Sequence, residues 1–152
     1  MAIRQIIHAP NTILSTPSES VTNPLDASVT RLIADMKDTV IALNGLGLAA
    51  PQVGAPFRVI VINHNGKPFA VINPIIKWSS EGTSILEEGC LSVPNYFVKI
   101  ARPNKIIISG INEKGEAFET KAKDLLAKIF QHETDHTNGI LISDYGEKRI
   151  LL

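Results

Sequence analysis

A single cysteine, Cys90, among 152 residues excludes any internal disulfide, so its sulfur serves as a thiol, a thiolate or a small buried hydrophobe. Charge of one sign is not in excess either: Lys plus Arg and Asp plus Glu are 15 each, and no basic run exceeds the Lys148-Arg149 pair. That balance argues against an extended nucleic-acid footprint, and no direct nucleic-acid partner is expected. No apolar run is long enough to span a bilayer, and the opening "MAIRQIIHAP" is too short in apolar core for a signal peptide. Cytosolic residence without a membrane partner is the resulting expectation. Internal repeats, low-complexity stretches and linkers are all missing, so residues 1–152 are read as one domain, long enough to bury a core without staples.

What is present has clear periodicity. In "DASVTRLIADMKDTVIALNG", starting at Asp26, residues Val29, Leu32, Ile33, Met36, Val40 and Ile41 form the apolar stripe of an amphipathic helix, which Asn44 and Gly45 stop. After Pro51 the texture changes to β-branched runs. "FRVIVIN" and "PFAVINP" flank "HNGK", with its Asn65-Gly66 turn signal, and "KIIISGIN" and "GEAFETK" flank a second turn between Asn112 and Gly115. Close returns of this kind predict antiparallel pairing. A last helix is expected from about Lys123 to Thr137, capped by Asp124 and ended by Gly139. The expected class is therefore α+β: antiparallel sheets packed around that helix.

The last helix carries "QHETDH", residues 131–136. Leu125, Ile129, His132 and His136 share one face, so both imidazoles should project inward, where an unpartnered imidazole is costly. One helical turn of about 5.4 Å brings them within reach of one ion, and Glu133 completes H-E-x-x-H, in which the carboxylate serves as general base. The motif alone leaves a second reading open, a core helix whose histidines find backbone or carboxylate partners. An open catalytic site needs a third protein ligand. Downstream only Asp144 and Glu147 remain, whereas "EEGCLS" upstream offers Cys90, expected on a loop between strands, with Glu88 placed to orient an imidazole. Thiolate with two imidazoles suits Fe(II), Co, Ni or Zn. A third cluster, "GLGLAAPQ" (residues 45–52), lacks the ending of a phosphate loop. Its small residues instead permit close approach of a ligand backbone, and Gln52 could aim its amide at a developing oxyanion.

Taken together, "GLGLAAPQ", "EGCLS" and "QHETDH" resemble, in order and nearly letter by letter, the three motifs of the peptide deformylase family, and the resemblance spans nearly the whole chain. It implies a compact α+β fold and one divalent metal ion, typically Fe(II) with zinc, nickel or cobalt as substitutes, held by Cys90, His132 and His136. Implied catalytic groups are Glu133, Gln52 and the backbone N–H of Leu91. Implied substrate contacts come from Gly45, Leu46, Gly47, Leu86, Gly89, Leu125 and Ile129. The implied reaction is removal of the formyl group from formyl-methionine at the amino terminus of a nascent polypeptide, releasing formate. Arg102 and Asp135 resemble an ion pair of the family that braces the metal helix, and Glu88 belongs to the same supporting layer.

Three departures from the family pattern accompany the match. Lys128 stands where a more apolar pocket residue is common, and Phe97 stands where many members carry an arginine that contacts substrate. The chain also stops at "GEKRILL", where many members continue into a helix implicated in ribosome docking, so that docking is not implied. Short forms of this kind resemble virus-encoded and organelle-associated relatives, which adds a viral or organellar source to the bacterial-type cytosol otherwise expected. Competing functions are a small metallopeptidase or amidase acting on other N-blocked peptides, and a non-catalytic metal-binding or peptide-binding module. The latter has no need of Glu133 or Gln52.

Overall fold

The computed structural model describes residues 2–145 and the backbone of residues 148–150. Much of the "GEKRILL" tail therefore lies outside the described residues. The chain opens with a short helix α1 (Thr12–Ser15) and then the predicted amphipathic helix α2 (Ala27–Ala42). Asp26 caps α2 by accepting from the Ser28 N–H at 2.9 Å, and Asn44, in the left-handed region at φ 54°, follows its last turn. Leu32, Ile33, Met36 and Val40 are buried as expected. Ile41, assigned to the same stripe, is 49% exposed, because one further step of about 100° around the axis carries it off the face.

Seven strands lie between α2 and the last helix: β1 (Gly47–Ala49), β2 (Val59–Ile62), β3 (Phe69–Ser79), β4 (Thr83–Cys90), β5 (Val93–Pro103), β6 (Lys105–Ile111) and β7 (Ala117–Lys123). The helix α3 (Asp124–Thr137) follows, and the backbone of β8 (Lys148–Ile150) pairs with β5. All pairings among these strands are antiparallel. They make one sheet of order β1-β2-β3-β6-β7 and a second of order β4-β5-β8. The fold is thus α+β with antiparallel sheets, and among the described residues no helix is long and apolar enough to cross a membrane.

Burial explains the layering. All four residues of β2 are fully buried because the strand has a helix on each side. Val59 and Val61 pack with Met36 and Val40 of α2, and Ile60 and Ile62 pack with Ile129 and Phe130 of α3. A third apolar cluster, including Leu14, Val98, Ile100 and Ile142, lies against the second sheet. Between Ile72 and Ile75 the pairing of β3 with β6 shifts register. Asn73 there, at φ 54°, holds the N-terminal segment by bonding both the N–H and the carbonyl of Val21.

Two local expectations are corrected. Asp124 does not cap α3: it is the helix's first residue, at φ 55°, and no side-chain cap is made. The helix start is held instead by a tertiary bond from the Asp124 N–H to the Asn104 carbonyl at 2.8 Å. Cys90 is not on a loop but ends β4, in a tight hairpin with β5. The acidic, glycine-containing "TSILEEGC" has little intrinsic strand preference, and its extended form comes from pairing along the length of β5.

Gly139 ends α3 as expected, at φ 75°, and a Cβ there would stand 2.8 Å from the backbone of Ser15. Backbone cannot yield as a side-chain tip can. Gly139→Ala should therefore lower stability by more than the ~1–2 kcal/mol of the left-handed conformation alone, measured by denaturant unfolding. An unchanged midpoint would show that the Ser15 segment moves freely.

Candidate metal centre and substrate pocket

Helix α3 and strand β4 bring the predicted ligands together. Ligand atoms of Cys90, His132 and His136 all lie within 4.8 Å of one another. Cys90 Sγ is 3.4 Å from His136 Nε2, and the two imidazoles meet edge to face at 5.1 Å between centroids. His132 Nδ1 faces Glu88 Oε1 at 2.8 Å, which fixes that ring and leaves its Nε2 toward the cluster. One sulfur and two imidazole nitrogens converging from a strand end and one helix face fit a divalent ion such as Fe, Co, Ni or Zn.

The electrostatics come from groups crowded away from water. Burial disfavours charge on both imidazoles. At His132 the carboxylates of Glu133 and Glu88 and the neighbouring Cys90 outweigh burial and raise the pKa. At His136 burial and the adjacent His132 lower it, so this ring stays neutral with a lone pair to offer. Burial also pushes the Glu133 carboxyl up to about 7. Glu133 Oε1 is buried without a hydrogen-bond partner among the described residues. Its other oxygen lies so close to Gly47 that a Cβ there would stand 2.6 Å from Oε2, so glycine at 47 makes room for the carboxylate.

Gln52 is 2% exposed, and its amide orientation follows from its partners. The Ala49 N–H can only donate and does so to Oε1 at 2.9 Å, turning Nε2 toward Cys90 Sγ (3.6 Å) and Ser92 Oγ (3.1 Å). Leu91 lines the same pocket, and so do the other pocket residues named from the motifs: Gly45, Leu46, Gly47, Leu86, Gly89, Leu125 and Ile129. The pocket thus runs from the cluster along α3. Leu125, predicted to face the core, is 41% exposed and forms part of this wall instead. Phe97 also lines it, its ring lying against Gly89.

Beneath the cluster Arg102 links three elements. Its Nε and Nη2 reach Glu88 Oε2 and Oε1 at 2.6 and 2.9 Å, a bidentate pair, and its Nη1 reaches Asp135 Oδ2 at 2.9 Å. The Arg102–Asp135 contact is the one the sequence led us to expect; the sharing of Arg102 with Glu88 is not. Tyr145 has no place in the sequence reading at all. Its hydroxyl donates to Asp135 Oδ2 at 2.6 Å and its ring stacks on the guanidinium at 5.1 Å, while burial and Asp135 push its pKa up to about 12. A lone aromatic near the chain end gives no sequence signal of this kind. Ser92, the last letter of the "EGCLS" motif, has no role that sequence alone assigns, and the structure shows it bonded to Gln52.

Arg102→Ala leaves Glu88 without its cation and weakens the hold on Asp135. It should cost about 3–5 kcal/mol in unfolding free energy and lower the amount of metal retained through dialysis. Stability and retention equal to the parent's would remove the brace. Burial would raise the Glu88 carboxyl, but His132 and Arg102 outweigh it and hold the group below its ordinary 4.5. As pH falls the unfolded chain therefore takes up this proton first. The stabilisation is present above about pH 4.5 and is lost progressively below it as the folded carboxyl titrates. Tm measured against pH should show that acid limb in the parent and a shallower one in Glu88→Gln.

Comparison with known proteins agrees with this geometry. A sequence model described as polypeptide deformylase matches residues 3–149. A peptide deformylase of Bartonella henselae is 39% identical over 97% of this chain and 86% of its own length. One from Syntrophomonas wolfei is 41% identical over 95% and 93%. The crystal structure of the Ehrlichia chaffeensis peptide deformylase in complex with actinonin superposes with a TM-score of 0.91 at 38% identity, covering 97% of this chain and 90% of that one. The metal cluster, the pocket and the matched length lead to one conclusion: this chain belongs to the polypeptide deformylase family.

Proposed function

We propose that this chain hydrolyses the formyl group from formyl-methionine at the amino terminus of nascent polypeptides, releasing formate, with one divalent ion held by Cys90, His132 and His136. The observation that carries the reading is the convergence of all three sequence motifs on one pocket: Gln52, Cys90, His132 and Glu133 line it together with Leu46, Leu86 and Ile129. When bound, the ion supplies Lewis acidity, lowering the pKa of water and polarising the formyl carbonyl. Fe(II) is the ion proposed for the cell, with zinc, nickel or cobalt as competent replacements, since the thiolate and imidazole donors accept each of them.

The residues divide the remaining work. Glu133 accepts the proton of the attacking water and delivers it to the leaving amine as the carbon–nitrogen bond breaks. A carboxyl raised by burial to about 7 is suited to both halves of that transfer near neutral pH. Nε2 of Gln52 and the N–H of Leu91 donate to the formyl oxygen as it becomes anionic. The apolar walls at Leu46, Leu86, Leu125 and Ile129 receive the first side chain, and Gly45, Gly47 and Gly89 line the path of the peptide backbone. Partners beyond the peptide are not needed for this chemistry, so the enzyme is proposed to act on free formyl peptides in the cytosol as well as on those still attached to the ribosome.

Formate release from formyl-Met-Ala-Ser by protein loaded anaerobically with Fe(II), or aerobically with Ni(II), tests the reading. Rapid release by the parent is expected, with a loss of roughly 10²–10³ in turnover for Gln52→Ala and a larger loss for Glu133→Ala, both with metal content preserved. Parent-like turnover in either variant would cancel the role given to that residue. Acetyl-Met-Ala-Ser should be a poor substrate; equal rates on formyl and acetyl peptides would make the enzyme a broader amidase.

A further inference from the structure

Lys128 interrupts the apolar wall of the pocket. It is 7% exposed and lines the pocket beside Leu125 and Ile129, yet ends in an ammonium. That ammonium donates to the Ser84 carbonyl at 2.9 Å and to Ser84 Oγ at 2.7 Å, and Ser84 Oγ donates onward to Asn104 Oδ1 at 2.6 Å. Ser84 and Glu88 lie four residues apart on β4, as Lys128 and His132 do on α3. The two elements are thus tied at successive helical turns, by Ser84–Lys128 and by Glu88–His132, with Leu86 between the ties. Lys128 is therefore attached about 6 Å along the axis before His132, with its ammonium directed to Ser84.

The bonding of that ammonium is incomplete. It has three donors, and two go to Ser84. Both acceptors are neutral, and among the described residues no carboxylate lies within ion-pair distance of the Lys128 ammonium, so its hydrogen bonds are only partly met. A pocket with apolar sides and a cation at this position suits an unbranched side chain that ends in a strong acceptor. Methionine's thioether is a weak acceptor, whereas its sulfoxide has nearly the same length and carries a strongly polar S–O bond. In a wholly apolar pocket that bond would lose its water without replacement.

We propose that Lys128 is a specificity determinant which lets the pocket take methionine sulfoxide as well as methionine at the formylated terminus, by donating its third N–H to the sulfoxide oxygen. The inference rests on the deformylase reading above. Under it, nascent chains whose first methionine has been oxidised remain substrates for deformylation.

The test compares kcat/KM of the metal-loaded enzyme on three peptides, formyl-Met-Ala-Ser, formyl-methionine-sulfoxide-Ala-Ser and formyl-norleucine-Ala-Ser, in the parent and in Lys128→Met. The quantity read is the sulfoxide to norleucine ratio, which general damage to the fold leaves unmoved. In Lys128→Met that ratio should fall at least about tenfold, the effect of losing one hydrogen bond from a charged donor. A ratio unchanged by the substitution overturns the proposal. So does a parent that turns over the sulfoxide peptide more than about a hundredfold slower than norleucine, an outcome independent of how the variant folds. Silence of the parent on all three peptides is a different pattern, and overturns the deformylase reading together with this one.

Discussion

The buried guanidinium of Arg102 is the interaction on which the rest of the site depends. It reaches from β5 to Glu88 on β4 and to Asp135 on α3, so a single cation joins the second sheet to the helix that carries both histidines. A buried charge of this kind is stabilising only while its partners remain in place, since loss of any one leaves the others desolvated and uncompensated. Glu88 is itself shared, holding Arg102 with both oxygens and His132 with one. The position of the imidazole and the attachment of the sheet are therefore set by the same carboxylate, and the Cys90, His132 and His136 cluster is positioned by an ion pair beneath it.

On the other side of the pocket the constraint is steric. Gln52 is turned by the Ala49 N–H, and Glu133 of α3 rests against Gly47, so β1 and the turn after it bring a rigid amide to the cluster and leave room for a buried carboxylate. The pocket lies where this edge of the five-stranded sheet meets the end of β4. Its polar groups come from three distant parts of the chain, and Gln52 and His132 are held by protein contacts before any substrate arrives. That is the pre-organisation which hydrolysis of an unreactive amide demands.

Much of this was legible in the sequence. The helices α2 and α3 were readable because a 3.6-residue period survives in any order of similar apolar residues, and the strands around Asn65-Gly66 and Asn112–Gly115 because turn residues punctuate β-branched runs. The site was readable because its chemistry requires rare residue types at fixed spacing, and one cysteine and four histidines leave few combinations. What escaped was tertiary in origin. Strand β4 has a composition that favours no element, and only β5 makes it extended. Asp124 looks like a cap by identity, but the Asn104 carbonyl takes its N–H. Tyr145 and the double use of Arg102 depend on where the chain returns in space, which local pattern does not encode.

The two-sided burial of β2 has a consequence for how the chain finds its alignment. In a strand with one wet face, polarity dictates which residues point inward, and a slip of one position is punished at every side chain. "VIVI" offers no such instruction, because either pairing phase would present aliphatic groups to both helices. Alignment has to be keyed elsewhere in the sheet: the Asn73 N–H on β3 donates to the Arg58 carbonyl just before β2 at 2.7 Å, and β3 is in turn placed against β6. Gly110 on β6 admits the adjoining β3 backbone where a Cβ would stand 2.8 Å from the Ile72 carbonyl oxygen, and Asn73 grips Val21 only when its bulge is in place. In this sheet the hydrophobic residues provide cohesion while a glycine and an asparagine provide the address, so the least sticky positions carry the most topological information.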